Sequence, residues 1–326
     1  MNEEINPNEV QSLEELRNAN GNEACKQTFA AMCSTNPERA AELLNQGDTS
    51  FPCLFAVLPE VRANALEGNL SANSNIAACV VNQIENENAV EDYLSEKSEE
   101  NAAVLRWILE TGYNDYSLGD GYLKVLDIVS AVLIITYEEK SILPLVENMI
   151  FERHRRGLCI HDLVWAFFRM EDFSVMKMVA GHLNAGDENE ANFAANLLHL
   201  PDNGPGNRAA QYEEYVNWLE ENEPFLFFTY EGMQYTSEPN VVDVDQERKY
   251  MHKTSRIFGY DPLEADNENE QACLLEFREL KNSEQKALSN YSHKIYRENQ
   301  QAWQEWMSRP VSQQLEAARA GEEGMV

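Results

Sequence analysis

The chain has 326 residues, and its 43% share of hydrophobic residues is enough for a continuous core, which excludes global disorder. Its 56 acidic and 25 basic residues give a formal net charge of −31. Residues 1–150 contribute −17 (25 acidic, 8 basic) and residues 151–326 contribute −14 (31 acidic, 17 basic), so the acidity is distributed along the chain. Such a charge repels phosphate backbones and anionic membrane surfaces, which disfavours nucleic-acid binding as the main activity. Two interpretations stay open: the charge serves solubility alone, or it attracts a basic partner.

No targeting or membrane segment is expected. The amino terminus has neither the basic nor the apolar region of a secretory signal. The most apolar stretch, residues 122–135, is shorter than the roughly 18 residues of a spanning helix and is interrupted by Lys124 and Asp127, so it predicts a buried helix. The six cysteines are scattered without a CxxC pair, which is typical of reduced thiols. These features predict a cytoplasmic protein with no membrane partner.

Helical periodicity dominates the first 200 residues. Apolar side chains recur at i, i+3, i+4 and i+7, which places them on one face of a helix. Asn36 before Pro37 indicates a helix start, and Asp187 and Asn267 each begin a capping-box pattern with a glutamate three residues later. The clearest apolar sets are Ala77, Val80, Val81 and Ile84; Ile142, Leu145, Val146, Met149 and Ile150; and Ile160, Leu163, Val164 and Phe167.

Short helices without intervening strands must bury their apolar faces against each other, which predicts an all-α fold of stacked helix pairs. One apolar helical segment begins roughly every 15–25 residues, so a pair occupies roughly 35–45 residues. With this period, and with units such as residues 40–48 (AAELLNQGD), the chain resembles the HEAT and armadillo superfamily of α-solenoids over about residues 20–200. The resemblance implies an extended face that binds other proteins. A non-repetitive helical bundle is the alternative.

The second part of the chain differs in composition. Residues 201–207 (PDNGPGN) cannot continue a helix, so we predict a solenoid over 1–200, a linker over 201–207 and a C-terminal helical region over 208–320. Within that region, 224–266 is an aromatic-rich insertion with one short β-hairpin or extended segment near 225–236, followed by irregular polar chain. A long helix is predicted from Glu284 to Met307.

Sequence motifs for catalysis and metal binding are missing. No phosphate-binding loop, GxGxxG turn, GxSxG elbow or HExxH helix occurs, and we expect no enzyme and no cofactor. Cys159 and His161 are separated by one residue, which is poor spacing for chelation from a helix, so we predict no metal site. Asp243, Asp245 and Glu247 lack the glycine and spacing of a calcium loop.

One basic run stands out in this acidic chain. Arg153, Arg155 and Arg156 follow a predicted helix, where they could complement the carboxyl end of the helix dipole. The functional alternative is contact with a carboxylate or phosphate, because arginine presents a planar fork to such groups. We take these three arginines as candidate binding residues, together with Phe227, Tyr230 and Tyr235 of the aromatic-rich insertion.

The function best supported by the sequence is a non-enzymatic scaffold or adaptor that binds a protein partner with a basic surface. An acidic inhibitor or immunity-type protein that blocks a basic nucleic-acid-handling enzyme is the second possibility. A hydrolase with a dispersed site is the third, and it would require a deep pocket with converging carboxylates and histidines.

Overall fold

The computed structural model describes residues 5–47, 49–86, 97–201, 207–229, 231, 240–254 and 263–323. Helices make up 74% of these residues, and the strands among them form a single two-stranded antiparallel sheet. The predicted all-α class is therefore confirmed. The chain divides into two units, residues 1–178 and 179–326. None of the described helices is both long enough and apolar enough to cross a membrane.

The first unit contains eight complete helices among its described residues. The first five of them begin after a side chain that caps the helix; Ser50, Ser71 and Ser98, for example, each accept a hydrogen bond from a backbone N–H of the following first turn. The helices are α1 (Leu13–Thr35, kinked at Gly21 with φ of 86°), α2 (Pro37–Leu44), α3 (Phe51–Ala63), α4 (Ala72–Glu85), α5 (Glu99–Gly112), α6 (Asp120–Ile135), α7 (Leu143–Arg155) and α8 (His161–Phe168).

The predicted helix starts are confirmed, with one change of detail. Asn36 accepts from the backbone N–H of Arg39 and caps α2. Asp187 accepts from the backbone N–H two residues later, while Glu190 pairs with His182 at 2.7 Å and so does not complete the capping box. Asn267 accepts from the backbone N–H of the glutamate three residues later, as the sequence pattern indicates.

The core of the first unit is built from the predicted apolar faces. The stretch from Tyr122 to Ile135 is helix α6, and Tyr122 is fully buried, stacked on Phe51 with ring centroids 5.5 Å apart. The Tyr122 hydroxyl donates to the Gly112 carbonyl at 2.9 Å. Burying this hydroxyl costs little because it keeps a hydrogen-bond partner.

Each helix of the first unit packs mainly against its neighbours in the chain. The main packing pairs join helices one or two positions apart, such as α1 with α2 and α3, α5 with α4 and α6, and α8 with α6 and α7. Stacked helix pairs require such local packing. The HEAT-like solenoid itself stays a prediction, because a bundle can share these neighbour contacts.

The second unit starts within α9 (Ser174–Gly181), which contains the division between Met178 and Val179. The division therefore precedes the predicted linker at 201–207, of which 202–206 lie outside the described residues. The physical reason is that the 3₁₀ turn at His182–Asn184 packs against the helices that follow it. These elements are α10 (Glu188–Leu197), α11 (Arg208–Asn222), β1 (Leu226–Phe228), β2 (Val242–Val244), α12 (Gln246–Met251), α13 (Glu268–Arg278), α14 (Asn282–Glu298), α15 (Gln300–Met307) and α16 (Val311–Glu323).

Helix α12 is the centre of the second unit's core. Tyr250 stacks on Phe277 of α13 with ring centroids 4.5 Å apart, and its hydroxyl donates to the Gln314 side chain of α16 at 2.6 Å. Leu288 of α14 and Trp306 of α15 complete this cluster. We predicted irregular chain over 237–266, but residues 246–251 form helix α12, which is buried in this core; the prediction is wrong for that stretch.

Two further predictions concern this region, and the second needs correction. The β-hairpin or extended segment predicted near 225–236 contains β1 among its described residues, and β1 pairs antiparallel with β2 from further along the chain, Phe227 opposite Asp243; residues 230 and 232–236 lie outside the described residues. The helix predicted from Glu284 to Met307 is divided at Asn299, whose backbone is extended (φ −160°, ψ 104°) and whose side chain caps α15. The apolar spacing continues across this break, which is why periodicity alone joins the two helices.

Candidate functional site

The basic run at 153–156 is divided between the core and the surface. The Arg153 residue is only 1% exposed, and its guanidinium donates to the Asp127 carboxylate of α6 at 2.6 Å. Further contacts to the backbone carbonyls of Leu123 and Cys159 lie at 3.4 and 3.5 Å. Arg153 is therefore a buried residue whose guanidinium is engaged within the protein, and its contact with a partner stays a prediction.

Arg155 and Arg156 lie at the surface of the same unit and share one carboxylate. Both pair with Glu152 at 2.6 Å, and the Arg156 guanidinium also lies over the Tyr116 ring, 4.4 Å from its centroid. The two arginines are thus held by their own helix and by a neighbouring aromatic ring. Their role in binding a partner stays a prediction.

The aromatic candidates lie in and after β1. Phe227 is 37% exposed, while its neighbours Leu226 and Phe228 point into the core, as strand alternation requires. Tyr230 and Tyr235 lie outside the described residues. Phe227 is the one aromatic candidate whose accessibility the structure gives.

The described residues contain no group of three or more His, Cys, Asp and Glu side chains arranged to hold a metal ion. The His161 ring accepts a hydrogen bond from the Trp165 indole N–H at 3.1 Å. Cys159 is an exposed thiol.

A cavity of about 640 Å³ lies in the second unit between α11, α12 and α14. Sequence reasoning missed it, because its residues come from three separate segments and no motif connects them. Its most unusual member is a lysine on α12. The cavity is lined by Trp218, Glu221, Asn222, Lys249, Asn290, His293, Lys294, Arg297 and Glu298.

Lys249 lines this cavity with its charge buried. The residue is 6% exposed, and its ammonium donates to the amide oxygens of Asn222 and Asn290, each at 2.6 Å. Within the described residues, no carboxylate forms an ion pair with it; Glu221 acts only at longer range. Burial lowers the pKa of Lys249 to about 8, because desolvation penalises the charged amine more than Glu221 stabilises it.

Asn222 is fixed for its role by its own helix. Its side-chain amide donates to the Trp218 carbonyl at 2.7 Å, which turns its oxygen toward Lys249. Asn222 is the last residue of α11, and Asn290 lies in the middle of α14. The ends of two neutral side chains therefore hold a buried cation where an ion pair is the usual arrangement.

A histidine lies beside this lysine. Both ring nitrogens of His293 are buried and have no hydrogen-bond partner within the described structure, and burial together with Lys249 lowers its pKa to about 4. His293 stacks on His252, which stacks on Tyr296. The imidazole is neutral near pH 7, and no carboxylate of the described residues orients it as a general base. Lys249 and His293 therefore do not provide the converging carboxylates and histidines that a hydrolase would require.

A second cavity, of about 450 Å³, lies in the first unit. Arg17 and Asp115 line it, and their side chains pair at 2.5 Å. Burial raises the pKa of the Asp115 carboxyl, but hydrogen bonds from Ser117 and the pairing with Arg17 outweigh it and hold this pKa below its usual range. Arg156 also lines this cavity, so the two arginines outnumber the single carboxylate there by one. Each arginine is already engaged, Arg17 with Asp115 and Arg156 with Glu152 outside the lining.

Comparisons of the chain with protein-family models, with curated proteins and with solved structures returned no match.

Proposed function

We propose that the protein is a non-enzymatic interaction protein whose acidic surface binds a basic surface of a protein partner. The observation that carries the proposal is the excess of carboxylates. If each of the 25 Lys and Arg residues neutralised one of the 56 acidic residues, 31 carboxylates would still be uncompensated (56 − 25).

The cations of the chain are largely engaged with its own carboxylates. In the described structure at least thirteen Lys and Arg residues form such ion pairs: Arg17, Arg39, Arg62, Arg106, Lys140, Arg153, Arg155, Arg156, Arg248, Lys253, Arg278, Arg297 and Arg319. The field outside the protein is therefore negative, which steers basic partners and repels acidic ones.

Helix α13 carries a surface suited to such a partner. Glu268, Leu275 and Glu276 lie on its exposed side together with Glu279, the residue that follows the helix, and Leu275 is 57% exposed. An apolar side chain flanked by glutamates complements an amphipathic segment with lysines around a hydrophobic residue. We name this set the α13 stripe and assign the partner contact to it.

The test uses a helical peptide of leucine and lysine and a matched peptide of leucine and glutamate, with affinities measured by isothermal titration calorimetry. The α13 variant is Glu268→Lys with Glu276→Lys and Glu279→Lys. The control variant changes three exposed glutamates of the first unit by the same total charge: Glu38→Lys, Glu67→Lys and Glu110→Lys.

We expect the lysine peptide to bind and the glutamate peptide not to bind. The α13 variant should lose about tenfold in affinity, corresponding to about 1.4 kcal/mol, while the control variant loses severalfold less because it keeps the local contact. Equal losses of affinity in the two variants would show that only the net charge attracts the peptide and that the α13 stripe is not its contact. Equal binding of the two peptides would contradict the proposal.

A further inference from the structure

Lys249 is a buried cation whose charge has no local counterion in the described structure. Its two hydrogen-bond partners are neutral amide oxygens, so one of the three ammonium N–H donors has no partner among the described residues. A buried unpaired charge costs several kcal/mol, and proteins normally offset it with an opposite charge. The cavity places open space beside this ammonium.

The other groups lining the cavity also favour an anion. Lys249, Lys294 and Arg297 carry three positive charges against the two carboxylates of Glu221 and Glu298, and Arg297 pairs with Glu221 at 3.6 Å. The lining is thus net positive by one charge (3 − 2), in a chain whose total is −31. A positive cavity in a strongly negative protein is the opposite of what the average composition would produce.

The cavity also has the size and apolar surface for an organic ligand. Its volume of about 640 Å³ lies within the range of small-molecule sites, roughly 300–1,000 Å³. Trp218 lines it and is 37% exposed, with its ring stacked on Tyr215 at 5.7 Å. The indole offers a flat surface to a planar group, and the Asn290 amide N–H group is available as a second donor.

We propose that this cavity binds the oxyanion group, carboxylate or phosphate, of a small aromatic or planar ligand, with the Lys249 ammonium as its main contact. The anion replaces the missing counterion and accepts a charge-assisted hydrogen bond from the unpartnered N–H. The neutral His293 and the Trp218 ring contact the remainder of the ligand. This site is independent of the acidic surface that binds a protein partner.

Binding should depend on pH in a defined direction. The anion favours the charged lysine, so affinity should fall as pH rises from 7 to 9.5, through the pKa of about 8 of Lys249. His293, with a pKa of about 4, stays neutral over this range. The other charged groups facing the cavity are Glu221 on α11 and Lys294, Arg297 and Glu298 on α14.

Charged groups on the neighbouring elements lie elsewhere. Glu247 and Arg248 on α12 do not line the cavity; Glu247 pairs with Arg278 of α13, and Arg248 with Asp245. Glu223, in the 3₁₀ turn after α11, is also absent from the lining. The pH dependence between 7 and 9.5 should therefore report Lys249.

The probes are benzoate, phenyl phosphate and the neutral control benzyl alcohol, titrated calorimetrically into the full chain. We expect one or both anions to bind and benzyl alcohol not to bind; which anion binds identifies the carboxylate or the phosphate source. Lys249→Met should weaken anion binding at least tenfold, and Lys294→Met, a matched loss of one charge at the same cavity, by severalfold less. Absence of binding by both anions, equal binding of benzyl alcohol, or equal losses in the two variants would overturn the proposal.

A measurement on the unaltered protein removes any dependence on the folding of the variants. At pH 8, benzoate does not titrate, so proton uptake on binding reports the protein alone. Because bound anion raises the pKa of Lys249, titrations in buffers of different ionisation enthalpy should show uptake of about half a proton per site. Binding of benzoate without proton uptake would show that the anion does not contact Lys249, and would refute the assignment.

Discussion

The buried ion pair of Arg153 and Asp127 gives the sharpest prediction about stability. Replacing Arg153 by Met nearly keeps the volume and removes the charge, which leaves the Asp127 carboxylate, whose side chain is only 14% exposed, beside an apolar chain. Removing one partner of a buried pair costs about 3–5 kcal/mol of unfolding free energy. The matched control is Arg155→Met, whose side chain is 54% exposed and pairs with Glu152; that change should cost less than about 1 kcal/mol.

The loss of unfolding free energy in Arg153→Met should depend on pH, because the charge of Asp127 does. Burial raises the pKa of its carboxyl to about 6 in the folded protein, although Arg153 opposes the shift. A carboxyl whose pKa is higher in the folded protein than its unfolded value of about 3.9 stabilises the fold through its bound proton. This stabilisation is complete below about pH 3.9 and is lost as pH rises through the folded pKa. Without Arg153 the folded pKa rises further, so the loss grows as pH rises.

The assay is urea unfolding followed by far-ultraviolet circular dichroism at pH 5 and pH 8. The deficit of Arg153→Met relative to the unaltered protein should be small at pH 5, where Asp127 is mainly protonated, and should reach about 3 kcal/mol or more at pH 8. Adding Asp127→Leu should restore most of the loss at pH 8, because no buried charge then lacks a partner. Equal deficits at both pH values, or no recovery in the double variant, would refute the assignment of this pair.

Three further predictions concern packing, capping and thiol chemistry. Gly112→Ala should lower stability by about 1–3 kcal/mol, because the new methyl carbon would lie 2.3 Å from the Tyr122 hydroxyl, whereas Gly121→Ala, with open space, should raise it by about 0.5–1 kcal/mol; thermal unfolding compares the two. Asn299→Ala should cost about 1 kcal/mol, since Asn299 caps α15 through two backbone N–H groups; an unchanged urea midpoint would show that the cap is dispensable. Cys159 should react fastest with a thiol reagent, as an exposed thiol among mainly buried ones, and its replacement by Ala should remove the fast phase.

The helices could be predicted because their signals are local. Apolar spacing and capping residues act within a few residues of each other, so Asn36 and Asn267 mark helix starts without knowledge of the fold. The division at Asn299 had a local signal too, a good capping residue, which the continuing apolar spacing obscured. No local signal indicated the partner of β1, because β2 lies beyond residue 240.

The candidate site residues show a different limit. Arg153 continues the buried positions Val146, Met149 and Ile150 at helical spacing, so its burial could have been inferred from the same periodicity. The burial of Lys249 could not be inferred in this way, because α12 has only six residues and buries three consecutive side chains. Its cavity depends on Asn222 and on α14, and only tertiary structure brings these segments together.

The most direct test of the acidic interaction surface is the association rate constant of the leucine–lysine peptide with the immobilised protein at several salt concentrations. Surface plasmon resonance between 0.05 and about 1 M salt covers Debye lengths from more than 10 Å to about 3 Å. If the 31 uncompensated carboxylates steer the partner, the association rate constant should fall by at least tenfold over this range while the dissociation rate constant changes less. An association rate constant that does not change with salt would contradict the account.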